Sequence, residues 1–167
     1  FTVFLAEGAM LDWSAVFLTT EKSIGEAYAG LGYAAFALTM TAGRLMGDTI
    51  VRHLGARRVI VLGGVFAATG MALATLAPNW EVALLGYALV GVGCSNIVPV
   101  LYTAVGKQTV MPENIAVPAI TTLGYAGILA GPAAIGFIAH ASSLSSAFLL
   151  ITAMLVAVAI SGRILRV

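Results

Sequence analysis

An all-α membrane protein with six transmembrane helices is what this sequence predicts, and three observations predict it. Charged residues make up 9% of the chain against 60% hydrophobic, and the mean hydropathy is +1.04. A soluble domain carries about 25% charged residues, so lipid must be the solvent for most of this surface. Apolar runs of membrane-crossing length recur along all 167 residues, divided by short polar breaks. The cations, finally, gather at alternate breaks rather than scattering. The net charge of +1 gives no case for nucleic acid. Cys94 is the single cysteine and rules out an internal disulfide. The chain opens at Phe1 inside an apolar stretch, without an initiator methionine or basic leader, and reads as a fragment of a longer polypeptide.

A membrane helix needs about 20 mostly apolar residues. Punctuation sets six such spans at Phe1 to Thr20, Glu26 to Met46, Val59 to Ala77, Trp80 to Val105, Asn114 to His140 and Ser145 to Arg163. Between the first two, Ser23-Ile-Gly-Glu26 matches a capping box. Pro78-Asn79 and Met111-Pro112-Glu113-Asn114 each combine a helix breaker with a capping residue. Ser142, Ser143, Ser145 and Ser146 form a polar turn before the last span. Connections this short make sequential spans antiparallel neighbours. Trp80, Tyr28 and Tyr102, near span ends, read as interface anchors.

Arg44, Arg52, Arg57, Arg58, Lys107, Arg163 and Arg166 then fall on one side and Lys22 alone on the other. This bias places the 47–58 and 106–113 loops and the C-terminus in the cytoplasm. The first span therefore runs outward.

Ionisable groups inside a span are functional candidates. The first span holds two, Glu7 and Asp12. Helical rise puts Asp12 about 12 Å and Glu7 about 20 Å from the outer end, and about 140° of rotation separates them. Burial favours the neutral form of a carboxyl group and a nearby cation favours the charged form. A membrane carboxylate can thus exchange protons, or it can simply brace two helices. In the fourth span, Gly91-Val-Gly-Cys94-Ser95-Asn96-Ile-Val-Pro99 forms a second constellation. Pro99 cannot donate a backbone bond, which frees the Ser95 carbonyl and predicts a kink. The resulting polar knot either lines a cavity or bonds across to a neighbouring helix. In the fifth span Gly127 and Gly131 make a GxxxG suited to close packing, Pro132 adds a kink, and Tyr125 with Thr122 can face a cavity. Gly43 and Gly47 form another GxxxG. His53 and His140 lack metal-ligand companions, so neither metal nor cofactor is called for. No GxSxG, HExxH or phosphate-cradling glycine loop occurs, and no catalytic residue is assigned.

Gly43-Arg44-Leu45-x-Gly47-Asp48 followed by Gly55-x-Arg57-Arg58 resembles the cytoplasmic loop signature of the major facilitator superfamily. In that family the motif joins the second and third helices of a six-helix half, its position here. The spacing around Asp48 is stretched, which resembles the copy found in C-terminal halves. Gly127-x-x-x-Gly131-Pro132 resembles a motif of the fifth helix of some antiporters, and Gly93 to Lys107 resembles the fucose-permease-like branch of sugar–proton symporters. The resemblance implies that residues 1–167 are the C-terminal half of a twelve-helix transporter, missing its N-terminal six-helix half. It also implies that the first and fourth spans line a central cavity, placing Glu7, Asp12, Cys94, Ser95, Asn96 and Tyr102 on the solute and proton pathway. The expected function is transport of a small solute, such as a sugar or related polar metabolite, by alternating access with proton coupling in the bacterial inner membrane. Asp48 and the motif arginines would form a conformational latch. The competing reading is a transporter-like sensor or assembly protein without flux. An intramembrane hydrolase would need a serine–histidine or paired-aspartate site, and no such pairing is visible.

Overall fold

In the computed structural model, residues 1–164 are described. Arg166, one of the cations assigned to the cytoplasmic side, lies outside them. The helices are α1 (Thr2–Glu21), α2 (Leu31–Leu45), α3 (Gly47–Leu54), α4 (Ala56–Leu76), α5 (Trp80–Cys94), α6 (Ile97–Lys107), α7 (Glu113–Ala141) and α8 (Leu144–Ser161). No strand occurs among the described residues. Among the described residues, five segments are long and apolar enough to cross a membrane: α1, α4, α5 continued by α6, α7 and α8. The remaining expected span, 26–46, is divided into a 3-10 turn at Glu26–Tyr28 and the 15-residue α2. Together these segments correspond to the six expected spans.

The breaks between spans differ in detail from expectation. The capping box does not form: neither the 3-10 turn nor α2 has a side-chain cap. Ser23 is used to end α1 instead, with a left-handed φ of 54°, while the Ile24 N–H reaches back to the Leu18 carbonyl. Buried Ile24 pins this turn. Gly25, with extended backbone, then separates this turn from the 3-10 turn that follows. Asn79 stands at the start of α5 without a side-chain cap, and Pro112 rather than Asn114 precedes α7. Among the described residues, only Ser143 caps a helix with its side chain, accepting from the Ser146 N–H at 3.1 Å. The expected loop over 47–58 is mostly α3, ended by Gly55 at φ 78°.

Lipid removes most of the hydrophobic drive for helix association, so close contact must come from small residues. Along the α4–α5 seam, a Cβ on Gly70 would lie 2.5 Å from the Gly86 carbonyl, and one on Gly93 would lie 2.4 Å from the Ala67 nitrogen. Gly64 meets Ala159 on α8 in the same way. On α7, a Cβ at Gly127 would reach 2.4 Å from the Phe1 carbonyl, and one at Gly131 would strike Leu5. Pro118 and Pro132 both lie inside α7. α1 sits centrally, touching α2, α5, α7 and α8. Its Phe17 stacks on Phe148 of α8 with ring centroids 4.7 Å apart.

The two ends of the bundle differ in charge. At one end, Lys22 donates to the Thr75 and Ala77 carbonyls of α4, and Ser145 donates to Glu21. At the other end, Arg57 donates to the Arg163 carbonyl, joining α4 to the end of α8. Asp48, Arg52 and Lys107 line a cavity of about 520 Å³ between α3, α4 and α6 at this basic end.

Candidate functional site

The fourth span stops being a continuous helix at Ser95 and Asn96, which separate α5 from α6. The cause is local. Pro99 has no N–H to offer the Ser95 carbonyl, and Asn96 takes the place where α6 begins. The Ser95 hydroxyl donates to the Val92 carbonyl at 2.7 Å. The Asn96 amide donates to the Gly43 carbonyl of α2 at 2.9 Å and to the Ser95 hydroxyl at 3.0 Å. Both side chains are buried.

The receiving surface is the first half of the glycine–arginine motif. A Cβ on Gly43 would fall 2.5 Å from the Ser95 hydroxyl, and one on Gly47 would fall 2.3 Å from the Asn96 side-chain oxygen. One turn earlier, Thr39 donates to the Ala88 carbonyl of α5 at 2.8 Å. The α2–α5 seam therefore consists of a notch without side chains and a polar plug that fills it. The motif glycines and the Ser95–Asn96 knot are one unit.

With Gly43 held against α5, the neighbouring Arg44 is turned toward α1. Its guanidinium donates to the Glu7 carboxylate at 3.2 Å, the one ion pair among the described residues. Glu7 is mostly buried, with a side-chain exposure of 15%, whereas Arg44 keeps 46%. A cavity of about 240 Å³ opens beside the pair, lined by Glu7, Gly8, Tyr33, Thr41, Arg44 and Ile128 among others. Cys94 is buried on α5 and is not among the residues lining this cavity.

The other expected site residues are dispersed. Asp12 is exposed on α1, outside the residues lining this cavity. The Tyr102 hydroxyl bonds to that of Thr121 at 2.8 Å, joining α6 to α7. Tyr125 is exposed and stacks on Phe4 with centroids 5.8 Å apart. Thr122 is also exposed. Asp48 stands in the first turn of α3, where its charge suits the helix dipole, but makes no ion pair among the described residues. No Asp48–arginine ion pair forms among the described residues, although Asp48 and Arg52 stand four residues apart on α3 and line the same cavity. Arg58 is exposed, and His53 bonds only to the Thr49 carbonyl of its own helix. Sequence reasoning missed Tyr33 and Thr41 as cavity-lining residues, and Arg44 as the partner of Glu7. The antiparallel order of the first two spans was the available signal, since it sets the end of the second beside the start of the first.

Comparison with known proteins agrees with this architecture. The chain is 56% identical over 163 residues to an uncharacterized MFS-type transporter of Yersinia pestis, covering 98% of this chain and 42% of that protein. It is 35% identical over 159 residues to the membrane protein MosC of Rhizobium meliloti, covering 95% of this chain and 39% of the relative. An uncharacterized transporter, y4wD, of Sinorhizobium fredii is 30% identical over 162 residues, covering 97% of this chain and 43% of its own length. The chain thus spans about two fifths of the relatives it matches. The profile of the Major Facilitator Superfamily matches residues 1–167. Membrane helices packed through glycines, a loop motif seated against the fourth span and a profile match over the full sequence have one reading: the chain belongs to the Major Facilitator Superfamily.

Proposed function

We propose that this chain is the C-terminal half of a secondary transporter that moves a small polar solute by alternating access, coupled to protons through Glu7. The observation that carries the reading is the Arg44–Glu7 ion pair beside a cavity between α1, α2 and α7. Such charges are costly at membrane depth and are kept where they serve transport. A carboxylate that exchanges its arginine for a proton changes the charge of the site by one unit. Because Arg44 adjoins Gly43, that change acts on the α2–α5 seam where Asn96 is seated. The seam leads directly into α3 and the basic end, so Gly43, Gly47, Asp48, Gly55, Arg57 and Arg58 form the conformational latch. In this reading the basic end is cytoplasmic, by the excess of arginine and lysine, and the membrane is the bacterial inner membrane. The solute contacts come from Glu7, Arg44, Tyr33 and Thr41.

Uptake by the full-length protein in proteoliposomes tests this. Accumulation driven by an imposed pH gradient should collapse on adding an uncoupler and should be lost in Glu7→Gln. Accumulation that survives without any proton gradient removes the coupling, and gradient-driven accumulation by Glu7→Gln removes Glu7 from it.

A further inference from the structure

We propose that the solute accepted at the Arg44–Glu7 cavity is an organic carboxylate, which replaces Glu7 as the partner of Arg44 when Glu7 takes up a proton. This rests on the transport reading above and names its substrate class.

Glu7 is largely covered, while Arg44, which lines the same cavity, is nearly half exposed. The guanidinium is therefore the more accessible of the two charges. Arg44 spends one N–H on Glu7 at 3.2 Å, although a guanidinium carries five donors in a planar fork that fits a carboxylate with two parallel bonds. The cavity also supplies the Tyr33 and Thr41 hydroxyls and an apolar wall from Leu11, Phe36, Met40 and Ile128. A small molecule with a carboxylate head, a hydroxyl and a short carbon body matches that lining.

Charge conservation gives the second part. When Glu7 binds a proton from water, its carboxylate becomes neutral and Arg44 keeps its positive charge. An uncompensated charge at this depth is costly. Among the described residues, no other carboxylate or cation lines the cavity: α7 presents Ile128, and Asp12 on α1 lies outside the lining. A solute carboxylate restores the pair. Release of the proton from Glu7 then returns Arg44 to Glu7 and expels the solute. Each cycle carries one proton and one anion, with no net charge.

The experiment uses the full-length protein in detergent and the variant Glu7→Ala, with acetate as probe and chloride and methylammonium as controls at matched ionic strength. Acetate should raise the melting temperature of Glu7→Ala by about 2 °C at ten times its Kd. It should have no effect on the Glu7→Ala/Arg44→Gln double variant. An equal response to chloride, or a response to methylammonium that persists without Arg44, overturns the proposal. So does a Glu7→Ala protein that melts like wild type and ignores acetate, because Arg44 is then neutralised by another part of the protein. Should Glu7→Ala fail to fold, Glu7→Gln takes its place, with the same outcomes read. The two readings fail separately. Uncoupler-sensitive uptake without acetate binding keeps proton coupling and removes the carboxylate, whereas acetate binding without proton-driven uptake does the reverse.

Discussion

Asn96 donates its side-chain amide to the Gly43 carbonyl across 2.9 Å, so a partly buried bond ties the break in the fourth span to the glycine motif of the second. Ser95 and Asn96 fill space that exists only because Gly43 and Gly47 have no side chain. A fit of this kind is sensitive to single methyl groups.

Gly47→Ala is expected to destabilise the full-length protein by about 1–3 kcal/mol, because its Cβ would crowd the Asn96 side-chain oxygen. Asn96→Ala removes both the obstacle and the bond. In a double-mutant cycle the second change should therefore cost much less when the first is present, as expected for residues in contact. Melting temperatures of the four proteins measure this. Additive shifts would show that the glycine and the asparagine act independently.

A harsher case lies on α7. The Cβ of an alanine at Gly127 would meet the backbone carbonyl of Phe1, which cannot rotate away, and the Leu5 nitrogen at 3.1 Å. Gly127→Ala should separate α1 from α7 and cost about 2 kcal/mol or more. Gly30→Ala is the matched control. Nothing lies within 4 Å of a Cβ there and the backbone is already helical, so it should be neutral or stabilise by about 0.5 kcal/mol. Side-by-side melts that rank the two variants the other way would refute the packing account.

The sequence made the apolar spans legible because each is long and bounded by polar residues. Where breaks were misread, a residue had two available jobs. Ser23 can cap the next helix or end the previous one, and a left-handed φ commits it to the second. The 47–58 segment looked like a loop because of its charges, yet Gly47–Leu54 has a helical periodicity that lets it lie as α3. Within the site, the Ser95–Asn96 break followed from Pro99 alone. Its partner did not, since nothing local in the chain says that Asn96 faces Gly43. Arg44 was obscured in another way: it is one of several cations at one end, and only its place beside Gly43 and the antiparallel order of the first two spans point it toward Glu7. Tertiary packing selects it.

At the opposite end, Lys22 joins α1 to the final carbonyls of α4, at 2.9 Å from Thr75 and 2.5 Å from Ala77, with the Phe17 ring 5.2 Å below its ammonium. Cations are favoured at helix C-termini, where carbonyls lack partners. Lys22→Met keeps the carbon stem and removes the charge. It should cost about 1 kcal/mol and speed hydrogen exchange at Ala77, whose N–H closes the last turn of α4. Exchange at Gly55, at the other end of α4, should not change. Unaltered protection at Ala77 would mean that the lysine contacts are not structural.

The ion pair itself can be measured apart from transport. Glu7→Gln and Arg44→Gln each leave a partner charge without compensation, and the double replacement leaves none. Removing one member of a buried pair costs more than removing both, but Arg44 is nearly half exposed and water offsets part of the loss. The expected coupling between the two sites is therefore about 1 kcal/mol, with the double variant more stable than Arg44→Gln alone. Arg44→Gln should be the costlier single change, since it leaves the more buried charge, Glu7, unpaired. Lowering the pH should narrow its deficit as Glu7 becomes protonated, whereas the deficit of Glu7→Gln should not follow the same trend. A deficit of Arg44→Gln that stays constant as the pH falls would show that Glu7 does not take up a proton when its arginine is gone.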